Sequence, residues 1–445
     1  MKIKTGAPIA LAGMLGLGLS LGGCAIFKHG THKTPTVGER VSILVSETAA
    51  ENDPALASTP VSLPPAEANA VWAQSGGTAD KAMGHLALAA TPARLWSVTI
   101  NGGSERERLG AAPVIADGKL FVIDVGAVVH AFDANTGAAL WQTPIAGDDK
   151  KTRPYRFGGG VSFDDGRVFA TDGVGDVVAL AADDGKEVWR AKPGGPLRGS
   201  PTIANGNVYA LTQDNQLFAL GQADGKVQWT QSGSLESQGV FGVAAPASSQ
   251  GTVVAGFSSG ELNAYRYENG RTLWGDALSR SSATTSVSSL ADIDADPVID
   301  QGRVFAVGQG GRMVSVDLAT GARVWEQNLA GISTPWIAGE WLFVVTDDAR
   351  LICLARASGK VRWIAQLQHF RHEKSRKGAI TWYGPVLAGG KLVLTNSLGQ
   401  VEYRSPTDGA EVSTVRGKDP FALPPVVAAS TLYTLDQRGR VTAYR

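Results

Sequence analysis

Apolar and polar residues alternate along most of the chain in short runs that are separated by glycine-containing turns. Two such runs are Lys119–Asp124 and Val128–Asp133, and they are flanked by Asp117-Gly118 and Thr136-Gly137. Turns of this composition join antiparallel strands, because glycine accepts the positive φ that a tight hairpin requires. The pattern therefore predicts many short antiparallel strands.

This pattern repeats along the chain, and most units close with Gly-x-x-x-Trp. Successive tryptophans lie 38 to 51 residues apart, and a seventh unit keeps Gly409 but has Ser413 at the tryptophan position. Each unit resolves into four strands, which corresponds to one propeller blade, and blades stack around an axis because a single blade leaves both faces apolar. The complete pairs are Gly137 and Trp141, Gly185 and Trp189, Gly225 and Trp229, Gly270 and Trp274, Gly321 and Trp325, and Gly359 and Trp363.

The two ends of the repeat region complement each other. The eighth unit stops at Arg445 after three predicted strands, and an unpaired strand, residues 93–100 with Trp96, precedes the first complete unit. Pairing this strand with the last three closes the ring and removes an exposed sheet edge. We therefore predict an all-β, eight-bladed β-propeller of four-stranded antiparallel blades over residues 67–445.

The amino terminus reads as a targeting segment. Lys2 and Lys4 precede an apolar run, and Leu21-Gly22-Gly23 precede Cys24. This arrangement predicts a signal peptide over residues 1–23. It resembles the bacterial lipobox, which implies that Cys24 is acylated; the alternative is an ordinary signal peptide in which a cysteine stands there by chance. By the same resemblance, Ala25 in place of aspartate implies the outer membrane.

Residues 24–66 are rich in Pro, Ala, Thr and Ser and show no sustained periodicity. We predict a flexible tether between the acylated cysteine and the propeller.

Charge and cysteine content narrow the function. The chain has 41 Lys and Arg against 41 Asp and Glu, and a balanced charge argues against sequence-independent nucleic-acid binding. Two cysteines, Cys24 and Cys353, cannot form a disulfide scaffold or a thiolate metal cluster on their own.

A four-stranded unit that ends in Gly-x-x-x-Trp resembles the pyrroloquinoline-quinone-type (PQQ-type) propeller repeat. In that repeat the tryptophan docks on the neighbouring blade, so the resemblance implies a structural role; the alternative is stacking on sugars or a cofactor. The tryptophans concerned are Trp96, Trp141, Trp189, Trp229, Trp274, Trp325 and Trp363.

Two families share this architecture together with a signal peptide: the PQQ-dependent dehydrogenases and the BamB family of outer-membrane assembly lipoproteins. The dehydrogenases commonly stack the quinone on an adjacent Cys-Cys pair and are much longer, whereas Cys353 stands alone in an apolar strand here. The lipobox and the compact length favour resemblance to BamB, and we expect no cofactor and no catalytic residue.

The stretch SSLADIDADPVIDQGRVF resembles a BamB inter-blade segment, with Leu290, Asp292, Asp294 and Pro297 at the matching positions. The resemblance implies that the two carboxylates dock on the periplasmic POTRA region of BamA. Alternate residues of an extended loop point the same way, so the pair is expected to present charge to a basic partner; the alternative is a solvated turn. A calcium loop is disfavoured, since Pro297 and Arg303 replace the glycine and glutamate that an EF-hand needs.

A second BamB docking element precedes the Ala-Pro opening of the blade before. Val240 and Phe241 keep its apolar character, but the arginine of the family pattern is missing before Gly242. Phe241 is accordingly either an exposed anchor or a core residue.

His369, His372 and Glu373 lie in the run HFRHEKSRKG, but their order is not the His-Glu-x-x-His of a zinc helix. A solvated basic loop between blades, residues 371–377, is the better prediction, and no metal site is expected there.

Taken with the residues above, the resemblance to BamB implies a non-enzymatic scaffold on the periplasmic face of the outer membrane. It would dock on BamA and other subunits of the β-barrel assembly (BAM) complex and assist the folding and insertion of unfolded β-barrel substrates. Two alternatives remain open: a periplasmic PQQ-dependent quinoprotein and a cell-wall- or carbohydrate-binding propeller.

Overall fold

The computed structural model describes residues 50–104, 106–147, 149–235, 242, 244–278 and 291–445. The predicted signal peptide, Cys24 and the tether up to residue 49 lie outside these residues. None of the helices in the described part of the chain has the length and apolar character that a membrane span requires.

One strand, β1 (Arg94–Thr99), precedes the first four blades. Blade 1 contains β2 (Val114–Ala116), β3 (Lys119–Ile123), β4 (Val128–Asp133) and β5 (Ala139–Pro144); blade 2 contains β6 (Val161–Asp164), β7 (Arg167–Thr171), β8 (Val177–Ala181) and β9 (Glu187–Ala191); blade 3 contains β10 (Thr202–Ala204), β11 (Asn207–Leu211), β12 (Gln216–Gly221) and β13 (Val227–Ser232); blade 4 contains β14 (Ala247–Ser249), β15 (Thr252–Gly256), β16 (Glu261–Arg266) and β17 (Thr272–Ala277).

The remaining blades follow the same order. Blade 5 contains β18 (Val298–Asp300), β19 (Arg303–Gly308), β20 (Arg312–Asp317) and β21 (Arg323–Gln327); blade 6 contains β22 (Trp336–Ala338), β23 (Trp341–Val345), β24 (Arg350–Ala355) and β25 (Val361–Gln366); a small hairpin contains β26 (Phe370–His372) and β27 (Lys377–Ala379); blade 7 contains β28 (Trp382–Ala388), β29 (Lys391–Asn396), β30 (Gln400–Arg404) and β31 (Glu411–Arg416); blade 8 contains β32 (Val426–Ala428), β33 (Thr431–Leu435) and β34 (Arg440–Tyr444). Short 3-10 turns occur at Pro54–Leu56, Arg153–Tyr155 and Glu373–Ser375.

The ring closes as the sequence predicts. Strand β1 pairs antiparallel with β34, with Trp96 opposite Ala443 and Val98 opposite Val441, and the fourth strand of blade 8 thus comes from the other end of the propeller. The eight four-stranded sheets confirm the predicted all-β, eight-bladed propeller.

The core lies between neighbouring blades. Each sheet is packed on both faces, so the second and third strands of most blades are buried along almost their whole length instead of alternating. One cluster joins Phe121 of blade 1 to Phe163 and Val168 of blade 2, with the Phe121 and Phe163 rings stacked at 5.9 Å.

The repeated tryptophans connect each blade to the next. In every case the indole Nε1 donates a hydrogen bond of 2.8 to 3.1 Å to a backbone carbonyl of the following blade. The donor and acceptor pairs are Trp96 and Ala134, Trp141 and Ala182, Trp189 and Gln222, Trp229 and Tyr267, Trp274 and Leu318, Trp325 and Arg356, and Trp363 and Pro406.

The glycine of each motif receives the tryptophan of the preceding blade. A Cβ at these glycines would lie 2.5 to 2.8 Å from a side-chain atom of that tryptophan. All seven have φ near +70°, so both the turn and the packing require glycine. The receiving glycines, in chain order, are Gly137, Gly185, Gly225, Gly270, Gly321, Gly359 and Gly409.

This geometry explains why the seventh unit carries Ser413. Strand β31 faces blade 8, where the third and fourth strands come from opposite ends of the propeller. Ala93 and Arg445 exchange backbone hydrogen bonds of 2.8 and 2.9 Å at that position, in place of a glycine turn. Without a receiving glycine, blade 8 offers no equivalent seat for an indole ring.

The C-terminal part of the predicted tether is not a free chain. Asn52 pairs in parallel with Val361 on the outer edge of blade 6, and the Asp53 amide donates to the Val361 carbonyl at 2.8 Å. The Arg362 Nε donates to the Thr59 carbonyl at 2.7 Å. The prediction of a flexible tether is therefore wrong for this stretch, because its backbone groups find partners that composition alone does not reveal.

Candidate partner-binding site

The predicted acidic segment connects blade 4 to blade 5 and is held by both. The Ile293 amide donates to the Phe257 carbonyl of blade 4 at 3.2 Å, and the Gln309 amide of blade 5 donates to the Asp292 carbonyl at 2.9 Å. Ile293 itself is buried. The segment is thus covered on two sides by the turns of its neighbours.

This packing contradicts part of the sequence expectation. Asp292 is 1% exposed, so it does not present its carboxylate to a partner as predicted, whereas Asp294 retains partial exposure. The alternation rule assumes that one side of a loop faces solvent, and here the propeller covers both.

Asp294 lies in surroundings that disfavour its charge. Burial, followed by the nearby carboxylates of Asp292 and Asp347, raises the pKa of Asp294 to about 7. Burial and the adjacent Asp348 likewise raise the pKa of Asp347 to about 6. At neutral pH the Asp294 carboxyl is therefore only partly ionised and does not carry a fixed negative charge.

Asp296 ties this segment to the preceding inter-blade segment. Its Oδ1 accepts the Ala245 amide at 2.7 Å, and its Oδ2 accepts the Ser75 hydroxyl at 2.6 Å. A Cβ at Gly242 would lie 3.9 Å from the Asp294 carboxylate. The two segments that the sequence singled out thus meet at one place on the ring.

Three predicted docking residues cannot be assigned a position in this site. Val240, Phe241 and Leu290 lie outside the described residues, although Gly242, directly after Phe241, lies beside Asp294.

Asp294 also lines a cavity of about 270 Å³ at the centre of the ring. Its wall includes Tyr383 and Arg198. The Arg198 guanidinium lies 4.4 Å from the centre of the Phe157 ring, and its Nε donates to the Gln213 side chain at 3.3 Å. Neither Tyr383 nor Arg198 was predictable from the repeat, because neither occupies a shared position of the blade motif.

The remaining candidate chemistry has structural explanations. The Glu373 carboxylate accepts the amides of His369 and Phe370 at 3.1 Å each, within the β26–β27 hairpin. Among the described residues, no group of three or more His, Cys, Asp and Glu side chains is placed to hold a metal ion. Cys353 is buried, and burial raises the pKa of its thiol far above the usual value.

The raised pKa of Asp294 predicts a pH-dependent stability. The folded chain keeps a proton that the unfolded chain releases, so the free energy of unfolding falls as pH rises from about 4 to about 7. Asp294→Asn should flatten this fall and stabilise the protein at pH 8 by on the order of 2 kcal/mol, with no gain at pH 4. Urea unfolding at the two pH values measures both.

The matched control is Asp214→Asn, which alters an exposed turn carboxylate. It should not reproduce the stabilisation that Asp294→Asn gives at pH 8. An equal response of both variants would contradict the burial of Asp294.

Comparison with known proteins places the chain in a family. A family sequence model described as outer membrane protein assembly factor BamB matches residues 82–155 and 126–365. The outer membrane protein assembly factor BamB of Yersinia pestis is 25% identical over 358 residues, which cover 80% of this chain and 89% of the relative. The protein of the same name from Escherichia coli K12 is 28% identical over 354 residues, covering 79% and 88% respectively.

Solved structures agree in fold. BamB from Moraxella catarrhalis superimposes with a TM-score of 0.68 at 18% identity, covering 80% of this chain and all of that one. A quinohemoprotein alcohol dehydrogenase from Pseudomonas putida HK5 gives a TM-score of 0.66 at 12% identity, covering 84% and 80%. These likenesses show a shared propeller fold alone. The sequence match, however, extends over more than half of the chain, and the protein therefore belongs to the family of the outer membrane protein assembly factor BamB.

Proposed function

We propose that this protein is a non-enzymatic scaffold in outer-membrane protein assembly, attached to the periplasmic face of the outer membrane through an acylated Cys24. The observation that carries the proposal is the family match across the propeller, residues 82–365. In this role the protein docks on the POTRA region of BamA within the BAM complex and assists the insertion of β-barrel substrates.

The surface proposed for BamA is the rim where Gly242 and residues 244–246 of one inter-blade segment meet residues 291–297 of the next. Asp296 holds the two segments together through the Ala245 amide, which gives the rim a defined shape. Asp294 is the acidic group of this rim that retains exposure. An interface with a defined backbone and a partly exposed carboxyl group suits a basic partner whose charge favours the ionised form of Asp294. The other predicted contacts, Leu290, Val240 and Phe241, remain part of this proposal.

Affinity purification of the full-length protein from detergent-solubilised membranes tests the function. The unmodified protein should recover BamA, and Asp294→Lys should lower that recovery about tenfold, equivalent to about 1.4 kcal/mol of binding free energy. Asp214→Lys, a charge reversal at an exposed turn of blade 3, is the matched control and should recover BamA normally.

A melting curve of each variant separates lost binding from lost folding. Normal recovery of BamA by a folded Asp294→Lys variant would reject the rim site while leaving the scaffold function intact. Failure of the unmodified protein to recover any assembly subunit would reject the function itself.

A further inference from the structure

The segment before the propeller runs around the inside of the ring and contacts every blade. Its contacts follow the order of the blades, beginning at blade 8 and continuing from blade 1 to blade 7. The hydrogen bonds run from Ala429 N to Asn69 O (2.6 Å), Ile115 N to Trp72 O (2.8 Å), Phe163 N to Ala73 O (2.7 Å), Ile203 N to Gln74 Oε1 (2.9 Å), Ser248 N to Ala79 O (2.8 Å), Ile299 N to Asp80 O (2.8 Å), Trp336 Nε1 to Gly84 O (2.7 Å) and Gly389 N to Leu86 O (2.8 Å).

The segment closes on itself where it enters and leaves the ring. The Glu67 amide donates to the His85 carbonyl, and the Ala87 amide donates to the Glu67 carbonyl, both at 2.8 Å. The intervening 18 residues from Asn69 to Leu86 reach at most about 60 Å when extended, enough for a circle of about 10 Å radius. The stretch therefore forms a complete loop inside the propeller.

The inner strands of the blades provide the reason for this path. The first strand of each blade is the inner edge of its sheet. Its amides that face the central channel have no partner within the blade. Buried amides without partners are costly, and open sheet edges invite pairing. In blades 1 to 5, one amide of the first strand donates to the segment: Ile203 donates to the Gln74 side chain, and the other four amides donate to backbone carbonyls. Blades 6 to 8 contact the segment through Trp336 Nε1 and through the turn amides of Gly389 and Ala429.

Side chains add to the backbone contacts. Trp72 is 4% exposed and stacks on Trp336 with ring centres 6.0 Å apart, and Leu86 is 2% exposed. The Lys81 ammonium, buried to the same degree, donates to the Thr202 hydroxyl at 3.3 Å. Burial lowers the pKa of Lys81 to about 8 against the opposing attraction of Asp296 and Asp80.

We propose that the inner rim of the ring is a peptide-binding site and that its ligand is the chain's own residues 67–88, here called the plug. The plug lines the central channel and forms one wall of the cavity beside Asp294, through Trp72 and Ser75. The family sequence model begins its match at residue 82, so most of the plug lies outside the matched region.

Cleavage of the full-length chain tests the proposal. A protease site inserted after Ala90, an exposed residue between the plug and β1, separates the plug from the ring without removing either. The N-terminal fragment should remain bound to the ring through gel filtration under native conditions. Its release from a ring that keeps its melting transition would overturn the proposal.

Two substitutions in the cleaved protein separate the plug from the contacts of residues 50–66 on blade 6. Trp72→Ala removes a buried ring, and Val71→Ala alters its neighbour, which is 39% exposed. The Trp72→Ala fragment should dissociate at least about tenfold faster than the Val71→Ala fragment, a difference of about 1.4 kcal/mol. Equal dissociation rates would show that the inner rim does not hold the segment.

Hydrogen exchange on the unmodified chain gives an independent readout that requires no variant. The amides of Ile115, Phe163, Ser248 and Ile299, which donate to the plug, should exchange only through global unfolding. Rapid exchange at these amides in the native protein would overturn the proposal.

Discussion

Gly225→Ala should lower the free energy of unfolding by about 3 kcal/mol, whereas Gly206→Ala should lower it by only about 1 kcal/mol. The two glycines have nearly the same backbone conformation, with φ of +70° and +72°. Alanine is therefore strained to the same extent at both. They differ in space, because a Cβ at Gly225 would lie 2.5 Å from the Trp189 ring, whereas a Cβ at Gly206 would have no atom within 4 Å.

The Trp189 ring cannot move aside without losing other contacts. It is 9% exposed, its Nε1 donates to the Gln222 carbonyl at 3.0 Å, and it packs at 5.9 Å from the Phe169 ring. Relieving the clash would therefore break the docking of blade 2 on blade 3. Urea unfolding of both variants, with unchanged dependence on denaturant, measures the difference, and equal losses would contradict the docking account.

A double-mutant cycle isolates the cause. Trp189→Ala is itself destabilising, but it removes the ring that the new Cβ would meet. If the clash is the source of the extra loss, Gly225→Ala should cost about 1 kcal/mol in the Trp189→Ala background instead of about 3 kcal/mol. If the losses in free energy of unfolding from Gly225→Ala and Trp189→Ala were additive, the cost of Gly225→Ala would come from backbone strain alone.

The relation between glycine and tryptophan shows how far the sequence could predict this fold. Periodicity was sufficient to predict the number of blades, and the orphan strand with Trp96 predicted the closure. The partner of each tryptophan was not evident, because the glycine that receives it belongs to the next unit. The absence of tryptophan at Ser413 became explicable only once the structure placed Ala93 and Arg445 at the position where blade 8 lacks its turn.

The candidate site was less predictable than the fold. Alternation along the loop placed Asp292 and Asp294 on the same side, but the turns of blades 4 and 5 cover Asp292. Such coverage depends on residues that are distant in sequence. The path of the plug could not be predicted from the sequence for a related reason. The plug has no periodicity of its own, since each of its contacts is with a different blade.

Deletion of Tyr433–Arg445 should abolish cooperative folding of the ring. The deletion removes β34 together with most of β33, and leaves β1 without a partner. It also removes Tyr433, whose hydroxyl donates to the Ala134 carbonyl of blade 1 at 3.2 Å. Blades 1 and 7 would then each expose an apolar face that blade 8 covers in the intact ring.

The size of the effect follows from the buried side chains. The side chains of Tyr433, Leu435 and Val441 are each at most 2% exposed. Removing one such buried side chain lowers the free energy of unfolding by about 2–5 kcal/mol. Their combined loss is comparable to the entire stability of a typical protein, about 5–15 kcal/mol. The truncated chain should accordingly lack a sharp thermal transition in calorimetry.

The matched control deletes Arg445 alone. This residue exchanges backbone hydrogen bonds with Ala93 and donates from its Nε to Thr431 at 2.9 Å, but it lies beyond the end of β34. Its loss leaves the pairing of Trp96 with Ala443 intact, so the control should still melt in one transition, with a free energy of unfolding lowered by about 1–2 kcal/mol. A long truncation that melts like this control would show that the ring holds without its terminal closure. A long truncation that fails to melt cooperatively, beside a control that does, would show that the cooperative folding of the ring depends on a complete blade 8.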